Sequence, residues 1–294
     1  MRFLFVDKIV ELTPGKRTRG IKQVTDSDFY LTRTGDGRVC FIPSLIGETL
    51  GQLAAWNVMY CNDFTARPVA GIVSSAHLLR PVYVGETLLL ESVIDAMDET
   101  SVRYHSQAYV GDEEVFRIDS ALGPMLPMAD FIDEATVRRQ FFEVHPSGSE
   151  GLTFSKAAAR TPIARPSSHV PMTFDRVVEF EPGIQMIAEM HVDPMAPYFP
   201  DHFPKKPVLP MTVLLESKLN MARDFIKHSK FDMSYQVREM RRVKMNDFVV
   251  PGNQLMSYLT LKDQASDELT LSFRSEVDGK RVCVLEVVMT AKDL

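Results

Sequence analysis

The chain of 294 residues contains one structural unit twice, and this internal repeat limits its fold more than any other feature. Residues 5–15, FVDKIVELTPG, lie over residues 173–183, TFDRVVEFEPG, at an offset of 168 positions. The offset continues through Glu48 over Glu216 and becomes 167 where residues 84–88 lie over residues 251–255. The sequence therefore predicts two copies of one unit in preference to two unrelated α+β domains.

Both copies show the same order of predicted elements. Alternating apolar segments that end at Pro-Gly turns predict strands, and each copy has one long apolar segment that predicts a helix. Helices are predicted over Ser44–Tyr60 and Thr212–His228. Strands are predicted over Phe3–Pro14, Ile21–Thr25, Gly71–Val82, Thr87–Met97 and Ser101–Val110, and over Phe174–Pro182, Ile187–Val192, Tyr235–Phe248, Leu255–Lys262, Glu268–Val277 and Arg281–Thr290. One helix against a long antiparallel sheet is an α+β layout.

We place the first repeat at residues 1–124, a crossover at residues 125–170 and the second repeat at residues 171–294. The crossover is too long for an ordinary connection. Asp130–Val144 is predicted to be a helix with an apolar stripe of Ile132, Val137, Phe141 and Phe142. Residues 146–151, PSGSEG, and 161–168, TPIARPSS, are predicted to be irregular.

Composition excludes several classes of protein. A net charge of −6 argues against non-specific nucleic-acid binding. No apolar segment is long enough to span a membrane, and the start MRFLFVDKIVE does not resemble a signal peptide. Cys40, Cys61 and Cys283 have no metal-ligand spacing. We expect them to be reduced in a cytoplasmic protein, with a reactive thiol at Cys40 or Cys61 as the alternative.

The first predicted helix carries a single charged residue, Glu48, in an otherwise apolar segment. A buried carboxyl group without a partner tends to have a raised pKa, as a general acid near neutrality requires. Gln52 lies one turn further on the same face and is expected to hydrogen-bond the carboxyl. Gly47 and Gly51 leave room for another helix or a thin ligand. A purely structural Glu held by backbone groups is the alternative.

The second repeat supplies a different part of the chemistry. Residues 202–216 read HFPKKPVLPMTVLLE, in which His202 opens a Pro-rich loop and Glu216 follows on the helix. This segment resembles the active-site segment of the 3-hydroxyacyl-[acyl-carrier-protein] dehydratases, with their His-Phe-Pro, their Pro-x-x-Pro and their helical acid. Glu48 followed by Gln52 fits the family's acid and glutamine, whereas the second repeat has Asn220. At the register of His202 the first repeat has Thr34, which is no base.

The resemblance implies a hot-dog fold, here a double hot dog in which two antiparallel sheets each wrap a central helix. In this family the active site lies between two subunits, with the His from one and the acid from the other. Carried over, His202 faces Glu48 in one working site, and Thr34 faces Glu216 in a second site without a base. A pairing of His202 with Glu216 inside the second repeat is the alternative.

The activity implied is loss of water from a (3R)-3-hydroxyacyl thioester, with His202 as base and Glu48 as acid. The free N–H groups at Met211, Thr212 and Val213 are expected to stabilise the thioester oxygen. The family usually has Gly where this chain has Met211, and a Met side chain there is expected to narrow the tunnel.

Apolar residues and basic residues provide candidates for substrate and carrier binding. The acyl chain is expected to contact Leu45, Trp56, Phe199, Phe203 and Leu214, with Leu215 a further candidate. Acyl carrier protein or coenzyme A is expected at Arg238, Arg241, Arg242, Lys244, Lys205 and Lys206, which ordinary solvated strand charges explain equally well. We expect no cofactor and no metal, since the substrate is carried on phosphopantetheine, and the double hot dog can form a homo-oligomer.

The same residues are also compatible with two other functions. Hot-dog thioesterases use a helical carboxylate with water, and Glu48 or Glu216 could serve that chemistry. A non-catalytic acyl-binding or scaffold protein would explain Met211 and the missing His of the first repeat.

Overall fold

A computed structural model describes residues 3–146 and 172–292. Residues 147–151 of the predicted PSGSEG segment and all of TPIARPSS lie outside these ranges. Each described half is an antiparallel sheet wrapped around a long helix, as the resemblance implies.

The first half contains nine strands and one long helix, and the described part of the crossover adds a second helix. Its elements are β1 Lys8–Thr13, β2 Arg17–Gln23, β3 Leu31–Arg33, β4 Val39–Phe41, α1 Pro43–Cys61, β5 Ala66–Pro68, β6 Ile72–Leu78, β7 Thr87–Met97, β8 Ser101–Val110, β9 Glu113–Pro127 and α2 Glu134–Val144. A single 3-10 turn, Met128–Asp130, precedes α2.

The second half has six described strands and one helix. Its elements are β10 Arg176–Glu181, β11 Gln185–His191, α3 Met211–Ser229, β12 Tyr235–Met245, β13 Gln254–Gln264, β14 Glu268–Val277 and β15 Lys280–Ala291. The two predicted long helices are confirmed within one residue at each end. The predicted strands are present, but β3, β4, β5 and β9 were not predicted. The sequence of β9 is interrupted by Gly123 and Pro124, which are unusual inside a strand.

The two long helices are buried for different local reasons. Pro43 begins α1, where its missing N–H removes no helical hydrogen bond. Apolar residues on nearly every face of α1, among them Leu45 and Leu53, are almost fully buried. Pro210 precedes α3, and Lys230 ends it in the left-handed conformation at a φ of 56°. The helices contact each other as well as their own sheets.

Among the described residues, 13 strands form one continuous sheet in the order β1-β2-β7-β8-β9-β6-β12-β15-β14-β13-β11-β10, with β5 paired to β9 off this path. Each of the six described strands of the second half has its counterpart at the mirrored place in the first half, whereas β3, β4 and β5 have no described counterpart. The halves are joined by β6 and β12, which pair antiparallel with Ala76 opposite Met240. The two predicted sheets are thus joined edge to edge, so the halves form a pseudo-dimer with a fixed register.

Irregularities of the backbone repeat as faithfully as the strands. The register of β1 shifts between Ile9 and Glu11, and that of β10 shifts between Val177 and Glu179. Gly85 and Gly252 both have a positive φ, at 95° and 85°. Bulges and positive-φ turns at corresponding positions show that the two halves share a backbone as well as a sequence pattern.

The helix of the crossover packs against the first half. Phe141 of α2 lies with its ring centroid 5.9 Å from that of Trp56 and 5.2 Å from that of Tyr60. The helix begins at Glu134, four residues later than predicted. The predicted stripe was wrong at Phe142, which is 55% exposed, because consecutive helical residues point about 100° apart and Phe142 leaves the face that Phe141 buries.

Candidate active site

The start of each long helix contacts the acidic side chain of the other helix. Thr212 Oγ1, at the start of α3, lies 2.7 Å from Glu48 Oε2. The backbone N–H of Ser44, at the corresponding place in α1, donates to Glu216 Oε2 at 3.2 Å. Ser44 corresponds to Thr212, and Glu48 to Glu216, at the repeat offset of 168. The crossed arrangement brings the first turn of each long helix to the acid of the other.

Gln52 orients the carboxyl group of Glu48, as predicted. Its Nε2 donates to Glu48 Oε1 at 3.0 Å and to the carbonyl of Phe3 at 3.1 Å. Its Oε1 accepts from the N–H of Phe5 at 2.9 Å, which fixes the orientation of the amide. Because Nε2 can only donate, the carboxylic proton of Glu48 belongs on Oε2, beside the hydroxyl of Thr212.

Burial raises the pKa of Glu48, and this is the largest effect on the group. Hydrogen bonds from Thr212 and Gln52 and the positive charge of Arg67 act in the opposite direction without overcoming it. Glu48 is therefore biased toward the protonated form, which is the form that can donate a proton.

His202 lies in a tight loop whose geometry fixes its tautomer. Its Nδ1 is 3.1 Å from the carbonyl oxygen of Val208, which can only accept, so Nδ1 carries the proton and Nε2 has a free lone pair. The next residue, Phe203, has a φ of 59°, and its ring stacks on the imidazole at a centroid distance of 4.1 Å. Asp201 accepts from the N–H of Phe3 at 3.0 Å and thereby ties the loop to the first repeat.

The imidazole of His202 is neutral over the physiological range. Burial lowers its pKa to about 3, and the nearby charge of Arg67 contributes in the same direction. A neutral ring with a free Nε2 is the state of histidine that can accept a proton.

Glu48 and His202 line the same cavity, which has a volume of about 620 Å³ and lies at the junction of the two halves. The structure thus brings together the acid of the first repeat and the imidazole of the second. Gly47, Gly51 and Gln52 of α1 also line it, and so do Met211 and Thr212 of α3. Gly47 and Gly51 lie one turn apart on the face of α1 that lines the cavity, so this face leaves space for a ligand.

The predicted acyl-chain residues divide into two groups. Trp56 and Phe203 line the cavity, as does Leu215. Leu45, Phe199 and Leu214 do not line it and are buried in the apolar core, so their prediction was wrong. On α1 the lining residues recur at intervals of three and four positions, and Leu45 falls outside this stripe. The sequence did not show which apolar face of each helix borders the cavity.

The predicted oxyanion residues differ in their placement. Met211 and Thr212 line the cavity at the first turn of α3, whereas Val213 is buried and does not line it. The N–H groups of this turn have no partner within the helix and lie at the positive end of its dipole.

The second pseudo-site has a different chemistry. Glu216 is 3% exposed and forms an ion pair with Arg223 at 2.8 Å. Thr34 lies in the β3–β4 turn, where its hydroxyl bonds to Asp36 and donates to the carbonyl of Arg38 at 3.1 Å. Neither Thr34 nor Glu216 lines the cavity. The acid of the second repeat is held by an arginine of its own helix.

The predicted basic cluster is largely engaged in local pairs. Arg241 and Arg242 each lie 3.0 Å from a carboxylate oxygen of Glu286. Arg238 donates to the carbonyl of Leu79 at 2.8 Å. The remaining three are Lys205, which pairs with Asp133 at 2.5 Å, Lys206, whose Nζ lies 4.9 Å from the Phe248 ring, and Lys244, which lines the cavity.

Sequence analysis missed Arg67, which lies on β5 and lines the cavity. Its guanidinium carbon is 4.0 Å from the ring centroid of Phe203. The sequence signal for this residue was a single arginine between the helix that carries Glu48 and the apolar residues Val69 and Ala70. Tyr104, an inward-facing residue of β8, also lines the cavity and was not predicted.

Two further features complete the description of the site. Within residues 3–146 and 172–292, no three His, Cys, Asp or Glu side chains are grouped so as to hold a metal ion. None of the helices in this part of the chain is both long and apolar enough to cross a membrane.

Comparisons with known proteins relate the chain to one family by sequence and to several proteins by fold. A family described as FabA-like domain matches residues 166–286. The 3-hydroxyacyl-[acyl-carrier-protein] dehydratase FabZ of Symbiobacterium thermophilum is 32% identical over 112 residues, which are 38% of this chain and 79% of that protein. The FabZ of Caldanaerobacter subterraneus subsp. tengcongensis is 36% identical over 115 residues, with the same shares of 38% and 79%.

Solved structures resemble the whole chain at low sequence identity. The tesB protein of Mycobacterium avium subs paratuberculosis has a TM-score of 0.61 at 12% identity, covering 98% of this chain and 97% of that one. A MaoC-like dehydratase has a TM-score of 0.58 at 10% identity, covering 97% and 100%. The 12:0-ACP thioesterase of Umbellularia californica has a TM-score of 0.54 at 11% identity, covering 94% of both chains.

These structures share the double hot-dog fold with this chain, while the sequence relatives match about the length of one hot-dog unit. The identity to the FabZ proteins extends over most of their length. The chain belongs to the family of 3-hydroxyacyl-[acyl-carrier-protein] dehydratases, in the form of a fused double hot dog.

Proposed function

We propose that this protein dehydrates (3R)-3-hydroxyacyl thioesters to trans-2-enoyl thioesters at a single site formed by His202 and Glu48. The observation that carries the proposal is the complementary state of the two groups in one cavity. His202 is neutral with a free Nε2, and burial raises the pKa of Glu48. Two titratable groups with opposite biases are suited to remove one proton and supply another.

In the proposed reaction the substrate lies with C2 beside His202 and the 3-hydroxyl beside Glu48. Nε2 takes the proton from C2, and the electron pair of that C–H bond forms the C2–C3 double bond. The C3–O bond breaks as Glu48 gives its proton to the leaving hydroxyl, and water departs. Imidazolium and carboxylate remain, and one proton must pass between them before the next turnover.

Charge that develops on the thioester oxygen needs hydrogen-bond donors. The first turn of α3, at Met211 and Thr212, supplies backbone N–H groups at the edge of the cavity. We propose that these groups hold the oxygen, and that the Met211 side chain narrows the space beside it. The acyl chain would contact Trp56 and Phe203.

The carrier would be acyl carrier protein or coenzyme A. Lys244 lines the cavity, and Lys205 and Lys206 lie on the loop that follows His202. We propose that these lysines meet the acidic or phosphate groups of the carrier. Lys205 would give up an exposed ion pair with Asp133 for the carrier, whereas two of the predicted arginines pair with the buried Glu286.

Hydrolysis of the thioester is the second candidate, since the solved structures that resemble the whole chain include the 12:0-ACP thioesterase of Umbellularia californica. That chemistry needs an ionised carboxylate to activate water. Burial favours the protonated form of Glu48, which supports dehydration instead. Glu216 is bonded to Arg223 and does not line the cavity.

One assay distinguishes dehydration, hydrolysis and simple binding. A 3-hydroxyacyl-pantetheine thioester is offered to the full chain, and enoyl absorbance and free thiol are followed together. Dehydration gives enoyl absorbance without thiol. His202→Ala is expected to abolish it, while the circular dichroism spectrum stays unchanged. Release of thiol without enoyl product would indicate a thioesterase, and neither signal would refute both enzymatic functions.

A further inference from the structure

Arg67 is a cation in the cavity without a partner among the described residues. Its Nε is buried and has no hydrogen-bond partner there. The guanidinium contacts two aromatic rings, Phe203 at 4.0 Å and Phe131 at 5.7 Å from the guanidinium carbon to the ring centroid. The buried Glu216, in contrast, is paired with Arg223. Arg67 therefore differs from an arginine that serves only to hold the fold together.

A charge in such a place is costly unless a ligand supplies the missing acceptor. Burial lowers the pKa of Arg67 to about 10, which shows how strongly the cation is desolvated. Contacts with aromatic faces recover part of this cost but satisfy none of the five N–H donors. An oxygen with negative or partial negative charge, placed in the cavity, would satisfy them.

The position of Arg67 relative to the base indicates which part of a ligand it meets. Phe203 has the imidazole of His202 at 4.1 Å and the guanidinium at 4.0 Å from its ring centroid. Two groups at such distances cannot share one face of the ring, so they lie on opposite faces. Arg67 is thus separated from His202 by the ring of Phe203 and does not contact the base.

We propose that Arg67 binds an acceptor oxygen of the bound thioester at a position beyond C2 and C3. This inference rests on the proposed function and deepens it, because it assigns a polar group to the substrate. The oxygen belongs either to the acyl chain, as a carboxylate, or to the pantetheine arm, as an amide carbonyl. Arg67 is on this view a specificity residue and takes no part in the proton transfers.

Two pairs of ligands distinguish the sources. The acyl pair is the 3-hydroxyadipoyl and 3-hydroxyhexanoyl derivatives of pantetheine, which differ in a terminal carboxylate. The arm pair is the 3-hydroxyhexanoyl derivatives of N-acetyl-β-alanylcysteamine and of N-acetylcysteamine, which differ in one β-alanyl unit and therefore in one amide. Ketone analogues, with CH₂ in place of the thioester sulfur, allow binding to be measured by calorimetry without turnover.

In one of the two pairs, Arg67→Met is expected to weaken binding of the member with the additional oxygen about ten- to hundredfold. The other member of that pair is expected to change less than about threefold, since it loses no bond to the cation. Arg67→Lys should recover part of the loss, and Arg67→Gln is a second neutral variant. Arg176→Met is the matched control, because Arg176 is 68% exposed and pairs with Glu189 on the distant strands β10 and β11.

Equal weakening of all ligands, or no weakening of any, would overturn the assignment of Arg67. A shifted pH profile of kcat with unchanged selectivity would also overturn it, because Arg67 would then act through Glu48. If the wild-type chain binds the ketones selectively but dehydrates none of the thioesters, the proposed function fails and the assignment of Arg67 stands. If the chain dehydrates the thioesters without selectivity for either oxygen, the proposed function stands and the assignment of Arg67 fails.

Discussion

The repeat offers a matched pair of substitutions, Glu48→Gln and Glu216→Gln, that separates catalysis from stability. Both glutamates occupy the same position of their helix and accept a hydrogen bond from the start of the other helix. They differ in their surroundings, since Glu48 lines the cavity and Glu216 pairs with Arg223. We therefore expect Glu48→Gln to lower the activity and Glu216→Gln to lower the stability.

Glu48→Gln removes the proton donor and keeps the shape of the side chain. Loss of a general acid typically lowers kcat by about 10²- to 10⁴-fold, which corresponds to roughly 3–5 kcal/mol in the barrier. The amide can still accept from Gln52 and donate to Thr212. Because the folded-state pKa of Glu48 is raised, wild-type stability falls as pH rises from the unfolded pKa through the folded pKa. The variant lacks this loss, so its relative stability should increase with pH.

Glu216→Gln is expected to retain most of the activity and to lose stability. The substitution removes the charge of a buried carboxylate and so breaks its ion pair with Arg223, whose side chain is 39% exposed. Solvent screens that pair, so the cost is about 1–2 kcal/mol. Activity is measured as enoyl formation, and stability by urea unfolding at several pH values. A Glu216 variant as inactive as the Glu48 variant, or an active Glu48 variant, would refute the crossed single site.

Three further outcomes are expected. In a plot of kcat/KM against pH, the rate should fall at high pH as Glu48 ionises and should show no acidic limb between about pH 5 and 7, because the pKa of His202 is about 3; an acidic limb centred near 6.5 would contradict this. Lys218→Met should stabilise the protein at pH 7 by up to roughly 3 kcal/mol, because burial lowers the pKa of Lys218 to about 8 and the folded state must hold a costly charge below that pH. The gain should disappear as pH rises through 10.5, the ordinary pKa of lysine, and a gain independent of pH in urea unfolding would refute the cause. Gly123→Ala should lower the free energy of unfolding by about 1–3 kcal/mol or more, because the added Cβ would clash with the backbone carbonyl of Val69; thermal unfolding measures it, and an unchanged Tm would exclude the close contact.

Some of the site followed from local patterns in the sequence. The isolated Glu48 in an apolar helix, the glutamine one turn later and the histidine before Phe203-Pro204 all depend on neighbours within a few residues. Helix geometry alone places Gln52 beside Glu48, and the structure has that hydrogen bond at 3.0 Å. The repeat offset further predicted that each half would have the same elements.

Other features depended on contacts between distant parts of the chain. Arg67 is 135 positions before His202 in the sequence, and only the packing of β5 against the His202 loop brings the two to one aromatic ring. The sequence also did not show that Trp56 lines the cavity whereas Leu45 and Leu214 do not, since all three are apolar residues of the two long helices. Periodicity identifies a buried face, but the empty space between two faces is a property of the assembled halves.

The duplicated α+β unit, its two long helices and the division of acid and imidazole between the copies follow from residue spacing and local composition alone. The tertiary structure decided that β6 and β12 join the halves into one sheet and that Thr212 of one half contacts Glu48 of the other. It also decided which charges are paired and which face the cavity. Desolvation and long-range contact set the protonation of Glu48 and His202, and neither exists until the two halves pack together.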